Sequence, residues 1–397
     1  MSAQRVRFGI DATPLLGRRT GIGRVVHELA GRIAAGLAED EELVLCARVV
    51  RQNPLVGVTH APLHAAARAP RVTLVRHILP AGLAERVGRV FPSAPLDFAA
   101  GRLDVYHGTN FVLPHSRHAR GIVTIHDLSF LRFPEHVPPD FFERFKRVSQ
   151  DAATRADLVI ADSDFTGRDV VEYLGVPPER VTTVYPGVSD AFYAPGDRER
   201  DRAGVAERHG VRAPYVLFVG TTHPRKNLTR LLEAFGIARR RASLPHRLVL
   251  VGDAGFGHDD VRARVAQIGL ADEVVLPGYV ADDDLPALYR AADALAFPTI
   301  FEGFGLPVVE AFAAGCPVLT STTSCLPEVA GDAAVLVDPD STDAVADGLE
   351  RLLTDAALRQ RLAGLGRARA PQFSWDAAAA RHLDLYRGLA ARQHRAR

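Results

Sequence analysis

Apolar residues recur along the chain in short runs, each followed by a turn and then by residues spaced three and four apart. VRFGI at 6–10 is the first such run. After it, Val25, Val26, Leu29, Ile33 and Leu37 mark one face of an amphipathic helix that begins near Gly21-Ile22-Gly23. Further strand-like runs follow at 43–50, 72–75, 103–107, 121–128 and 158–161. A Pro/Gly-rich stretch at 186–196 interrupts this order and reads as an interdomain linker. PYVLFVG at 214–220 restarts the alternation, with later strands at 247–255, 274–280 and 294–297, then in CPVLTS and AAVLVDP. Strands alternating with helices predict parallel, doubly wound sheets, whose ligands collect at the carboxyl ends of the strands. The pattern predicts a domain over 1–190, a second over 191–373, and a last helical segment over 374–397 that starts at the single tryptophan, Trp375.

The most informative stretch is LAFPTIFEGFGLPVVEAFAAGCP, residues 295–317. An apolar strand ends at Pro298, a loop Glu302-Gly303-Phe304-Gly305-Leu306 follows, and Pro307 suits the opening of a helix that Gly315 ends. Free amides at a helix start favour anions, and glycine lets a ligand approach the backbone. Glu302 and Glu310 frame the loop. They suit hydroxyl groups better than phosphate, and loop and carboxylates together describe a nucleotide-sugar site. The plainer alternative is a capped βα turn with Glu310 serving the helix start.

At the end of the 214–220 strand, Arg225-Lys226-Asn227 precedes another helix. Arg offers a planar fork and Lys a mobile point charge, which suits a diphosphate. In the first half, strand ends carry His107-Gly108-Thr109-Asn110 and His126-Asp127-Leu128. On its own residues, His126 reads as a strand-end histidine bonded to Asp127. Gly21 and Gly23 read equally as a tight turn or as a ligand loop. A dinucleotide fingerprint is incomplete there, because Val26 stands where a third glycine belongs.

These motifs together resemble the retaining glycosyltransferases of family 4. E-x7-E around GFGLP, the HPRKN segment and TIHDLSF carry the resemblance. It implies an α/β chain of GT-B fold, with two facing Rossmann-like domains and a C-terminal helix crossing back to the first. The donor nucleotide would lie on the second domain and the acceptor on the first. By resemblance, Glu302 lies by the donor sugar, Glu310 holds the ribose, Arg225 and Lys226 clamp the pyrophosphate, and His126 is the active-site histidine. Gly21 and Gly23 then face the diphosphate and the acceptor, Gly303, Phe304, Gly305 and Leu306 line the donor, and main chain near Val280 meets the base. Retention is attributed in this family to front-face attack assisted by the leaving phosphate.

The same resemblance points to bacterial mannosyltransferases that use GDP-mannose in polysaccharide assembly, with a glycan or lipid-linked acceptor. A UDP-sugar donor is the alternative. Nucleotide-sugar epimerases share the fold, and an NAD-dependent oxidoreductase is disfavoured by the glycine pattern. No DxD pair stands in a metal-binding context, since Asp282-Asp283-Asp284 opens a helix, so no metal or other cofactor is expected.

Composition narrows the rest. The 397 residues carry a net charge of +1, which gives no general field for nucleic acid. Cys46, Cys316 and Cys325 form no paired motif, which fits a reducing cytoplasm. Residues 51–120 hold nine arginines against three acidic residues, a net charge of +6. Such a segment suits an anionic membrane or a lipid-phosphate acceptor at the inner membrane face, although a solvated surface is the commoner outcome. The oligomeric state is not legible.

Overall fold

A computed structural model describes residues 5–16, 21–50, 68–79, 94–253, 255 and 258–395. The chain divides into two compact units, residues 1–187 with 374–397, and residues 188–373. Much of the basic 51–120 segment, at 51–67 and 80–93, lies outside the described residues.

The N-terminal unit is built on seven strands: β1 (Val6–Asp11), β2 (Glu41–Val50), β3 (Val72–Leu79), β4 (Val105–Gly108), β5 (Arg120–Ile125), β6 (Leu158–Ala161) and β7 (Val181–Thr183). Their order is β3-β2-β1-β4-β5-β6-β7, and every pairing is parallel. The chain builds outward from β1 through β3, then returns to add β4 on the other side of β1. That reversal opens a crevice beyond the carboxyl ends of β1 and β4, where such sheets bind ligands.

The helix Gly21–Ala35 covers one face of this sheet because Val26, Leu29, Ala30, Ile33 and Ala34 fall on one stripe and are buried. Gly21 and Gly23 are therefore helical residues in its first turn, not a loop before it. The helix Asp164–Leu174 starts on Ser163, whose hydroxyl accepts from the Thr166 amide at 3.1 Å.

The C-terminal unit repeats the scheme with β8 (Tyr215–Val219), β9 (Arg247–Val251), β10 (Val274–Gly278), β11 (Ala294–Phe297), β12 (Val318–Ser321) and β13 (Ala334–Val337). Their order is β10-β9-β8-β11-β12-β13, again all parallel, with the reversal between β8 and β11. Both neighbours of that reversal are wholly apolar and buried, and Phe218 stacks on Phe297 at 5.6 Å.

The helix Trp375–Arg395 belongs to the N-terminal unit. Trp375, Ala378, Leu383 and Tyr386 enter its core beside Phe8, Ile10 and Ile33, and Arg387 pairs with Glu41 at 2.7 Å. The helix also carries a buried polar contact into the sheet. His107 on β4 pairs through Nδ1 with the Tyr386 hydroxyl at 2.7 Å and through Nε2 with the Thr124 hydroxyl at 2.7 Å. Its ring stacks on His382 at 5.4 Å, and the His382 Nδ1–H donates to the Ala378 carbonyl at 2.7 Å.

Burial holds both imidazoles neutral. His382 is pushed down to about 4 by burial, against smaller opposing effects of the Ala378 carbonyl and Asp162. His107 is held well below its ordinary value by burial, then by His382 and His126. An unfolded histidine titrates near 6.5, so between that value and about 4 the unfolded chain binds a proton that folded His382 refuses. The stability that His382 contributes is therefore full above pH 6.5 and falls as the pH drops toward 4. Urea unfolding at pH 7.5 and 5.0 checks this: His382→Leu reduces the acid loss by about 1.4 kcal/mol per pH unit within that window. An identical slope in the variant contradicts it.

Candidate active site

The β8–β11 reversal brings together the two strongest motifs of the sequence. Beyond β8 the chain makes a short 3-10 turn, Pro224–Lys226, and Asn227 takes a left-handed conformation with φ +60°. The Asn227 amide donates to the carbonyls of Pro298 at 3.0 Å and Pro339 at 2.7 Å. The Ile300 N–H donates to the Arg225 carbonyl at 2.8 Å. The loop after β8 is thus laced to the loop after β11.

That lacing sets two cations against one carboxylate. Lys226 Nζ lies 2.6 Å from Glu302 Oε1, and Arg225 Nη1 lies 3.3 Å from Glu302 Oε2. Arg225 also donates to the Phe301 carbonyl at 3.1 Å, and the Lys226 ammonium stands 5.2 Å from the centre of the Phe297 ring. The site is nearly closed to water, with Lys226 9% and Glu302 7% exposed. The Glu302 N–H donates to Ser324 Oγ at 3.2 Å, and the Cys325 thiol lies 3.2 Å from the Glu302 carbonyl. Burial, then Glu302 and Glu328, push that thiol well above its ordinary value, so it remains a protonated donor.

The glycine loop then turns sharply into the helix Leu306–Ala314. Gly305 adopts φ +94°, a left-handed conformation that favours glycine, and a Cβ there would sit 2.9 Å from Leu326 Cδ2, which would have to move aside. Glu310 is 4% exposed and accepts from the Tyr289 hydroxyl at 2.8 Å. The two glutamates therefore occupy different environments: Glu302 faces cations and Glu310 faces a phenol.

An open cleft with about 590 Å³ of empty space lies along the ends of β8, β9 and β10. Its walls include Phe218, Gly220, Thr222, Leu250, Asp253 and Arg262. Val280 is buried and is not among the cleft's lining residues.

In the N-terminal unit His126 follows β5 directly. Its Nδ1–H donates to Asp162 Oδ2 at 2.8 Å, not to Asp127, and its Nε2–H donates to the Thr109 carbonyl at 2.8 Å. Burial works against the charged ring, but the charge and hydrogen bond of Asp162, the Thr109 carbonyl and Asp127 outweigh it, and His126 titrates above its ordinary value. His107 belongs to the polar contact with the C-terminal helix.

Several partners escape a linear reading. Asp162 sits in ADSD, where the neighbouring serine explains itself as a cap and hides the aspartate's role. Tyr289 and Ser324 carry no motif at all. Strand order supplies the signal, since each lies on an element that borders β11 or opens from a neighbouring strand end.

Comparison with known proteins agrees with this architecture. Residues 19–192 match the family model described as Glycosyltransferase Family 4, and residues 198–369 match Glycosyl transferases group 1. The chain is 33% identical to the O-antigen chain mannosyltransferase B of Escherichia coli, over 72% of this chain and 74% of that protein. It is 31% identical to the D-inositol 3-phosphate glycosyltransferase of Salinispora tropica, over 97% of this chain and 84% of that protein. Among solved structures it resembles sucrose-phosphate synthase from Thermosynechococcus elongatus, with a TM-score of 0.74 at 21% identity, covering 98% of this chain and all of that one. That likeness concerns the fold, which is GT-B. With one model over each half and relatives matched along most of their length, the chain belongs to the glycosyltransferases of family 4.

Proposed function

We propose that this glycosyltransferase moves a hexose, mannose from GDP-mannose, to a hydroxyl of a glycan or lipid-linked acceptor, with retention and without a metal. The observation that carries the reading is the meeting of Arg225 and Lys226 with Glu302 beside the Gly303–Leu306 turn. A departing nucleoside diphosphate gathers negative charge, and preorganised donors in a dry site are the strongest means of stabilising it. Arg225, Lys226 and the loop amides supply those donors. Glu302 holds the cations in place before the donor arrives and then accepts from sugar hydroxyls. Glu310 accepts from the ribose, sharing its second oxygen with Tyr289. The base lies against main chain near Val280. His126, Gly21 and Gly23 serve the N-terminal unit's part in handling diphosphate and acceptor.

Support for mannose comes from the O-antigen mannosyltransferase relative. A second reading keeps sugar transfer and takes a UDP-sugar with a small phosphorylated acceptor. Its acceptor draws on the D-inositol 3-phosphate glycosyltransferase, whose match spans 97% of this chain. Metal independence draws on the acidic run at 282–284, where Asp284 is already engaged by Arg208 and His209, each at 3.1 Å. For membrane contact, no helix among the described residues is long and apolar enough to cross a bilayer. Peripheral association through the basic 51–120 segment remains part of the proposal.

Two measurements check this reading. Sugar transfer persists after exhaustive chelation, whereas loss with EDTA restored by Mg²⁺ or Mn²⁺ contradicts metal independence. The glutamates divide as follows. A hydrogen bond to a charged group is worth roughly 1.5–3 kcal/mol, so Glu310→Gln weakens free GDP or UDP by about 10- to 150-fold in calorimetry. Glu302→Gln lowers kcat because its sugar contact is lost, and shifts free nucleotide affinity by less than Glu310→Gln does, since the amide oxygen still accepts from Lys226 and Arg225. Equal losses of nucleotide affinity in both variants contradict the division.

A further inference from the structure

Four strand ends of the N-terminal sheet meet in one chain of hydrogen bonds that runs through His126 and Thr109. His126, after β5, donates from Nδ1 to Asp162, just past β6, and from Nε2 to the carbonyl of Thr109, just past β4. The Thr109 hydroxyl donates in turn to the carbonyl of Asp11, the last residue of β1, at 2.8 Å. Carboxylate and carbonyl are both acceptors, so the two bonds coexist only when the ring carries both its protons. A neutral ring would turn a lone pair toward one of them in a buried site.

The turn held in this way has little slack. A Cβ on Gly108 would fall 2.0 Å from the Val112 carbonyl oxygen. Phe111 adopts φ +58°, its N–H donates to the Thr124 carbonyl at 3.1 Å, and its ring meets that of His126 at 5.9 Å. This turn lies at the β1–β4 reversal, the edge of the sheet where ligands bind.

We propose that Asp162 is a positioning residue of the transferase: it keeps His126 donating from both ring nitrogens and so clamps the 109–111 turn at the ligand edge of the N-terminal sheet. Only the kinetic part of its test rests on the sugar-transfer reading.

The surroundings of His126 decide the sign of its pH response. Asp162 and Asp127 favour the charged ring and burial opposes it, while His107 on β4 is itself held well below its ordinary value. On the C-terminal helix, His382 faces Asp162 but is itself neutral. Tyr185, beyond β7, lines the same pocket, and the Gly21–Ala35 helix brings only Val25, Val26 and Leu29 there. The carboxylates prevail, so the doubly protonated ring persists above pH 6.5 and the clamp is lost as the pH rises through the raised value. Substituting Asp162 by asparagine reverses the bond. The amide N–H donates to Nδ1 of a neutral ring while Nε2–H still holds Thr109, so the clamp no longer needs the extra proton.

Histidine-selective ¹⁵N NMR and pH–rate profiles test this together. In the wild type, His126 shows two protonated ring nitrogens at pH 7, and kcat falls on the alkaline side by about tenfold per pH unit, as one required proton dictates. Asp162→Ala lowers kcat at neutral pH by about tenfold with little change in donor KM. Asp162→Asn restores kcat, shows one protonated and one bare ring nitrogen, and lacks the alkaline limb. A wild-type His126 with a bare ring nitrogen at pH 7 overturns the proposal, as does an alkaline limb shared by the wild type and Asp162→Asn. If no sugar donor supports turnover, the functional reading fails while the NMR result still decides the clamp.

Discussion

The ion pair between Lys226 and Glu302, 2.6 Å long and almost closed to water, is the contact on which the loops at the C-terminal reversal depend. Burying two opposite charges costs more than an apolar pair of the same size unless the geometry is good and the remaining polar atoms are satisfied. Here they are: Arg225 takes the second carboxylate oxygen, Phe297 lies under the ammonium, and Ser324 and Cys325 occupy the Glu302 backbone. Such an arrangement is poor value as a stabiliser and well suited to function. On the proposed function, a lysine held by a carboxylate in a dry loop turns to a more highly charged diphosphate with little reorganisation.

Topology explains why these residues meet. Lys226 and Glu302 stand 76 positions apart, yet they follow the two strands that flank the sheet reversal of the C-terminal unit. The N-terminal unit places Asp11, Thr109 and His126 by the same rule, at the ends of β1, β4 and β5. In each unit one polar cluster ties the loops at the reversal to each other. The N-terminal cluster centres on a histidine whose charged form two aspartates favour, and the C-terminal one on a carboxylate holding cations. The family's division into an N-terminal and a C-terminal model follows the same two units.

Much of this was legible in the linear sequence because buried parallel strands leave continuous apolar runs. ALAF at 294–297 coincides with β11, LVIA with β6, and PYVLFVG brackets β8. Ends were less legible: the run taken over 121–128 extends past Ile125, where the strand stops and the polar His126 and Asp127 leave the sheet. Gly21 and Gly23 suggest a loop by composition, but the amphipathic stripe that begins at Val26 draws them into the helix. Partnerships were least legible, because they are nonlocal. His126 has Asp127 beside it in sequence, yet its Nδ1 bonds Asp162, on the adjacent strand end 36 residues away. Asp127 instead turns to its own loop, accepting from the Ser129 N–H and hydroxyl at 2.9 and 2.6 Å. Glu310 reads as a helix-start acid until Tyr289 is seen against it.

The central claim is that Lys226 recognises the diphosphate of a nucleotide donor, and its most direct test is calorimetric. Lys226→Gln removes the charge while leaving an amide that can still donate to Glu302. Binding of GDP and UDP is compared with binding of guanosine and uridine for wild type and variant. A charge-assisted hydrogen bond of roughly 1.5–3 kcal/mol predicts that the better diphosphate weakens by about tenfold or more while its nucleoside is unchanged within about twofold. Equal weakening of diphosphate and nucleoside, or no change in either, contradicts the claim.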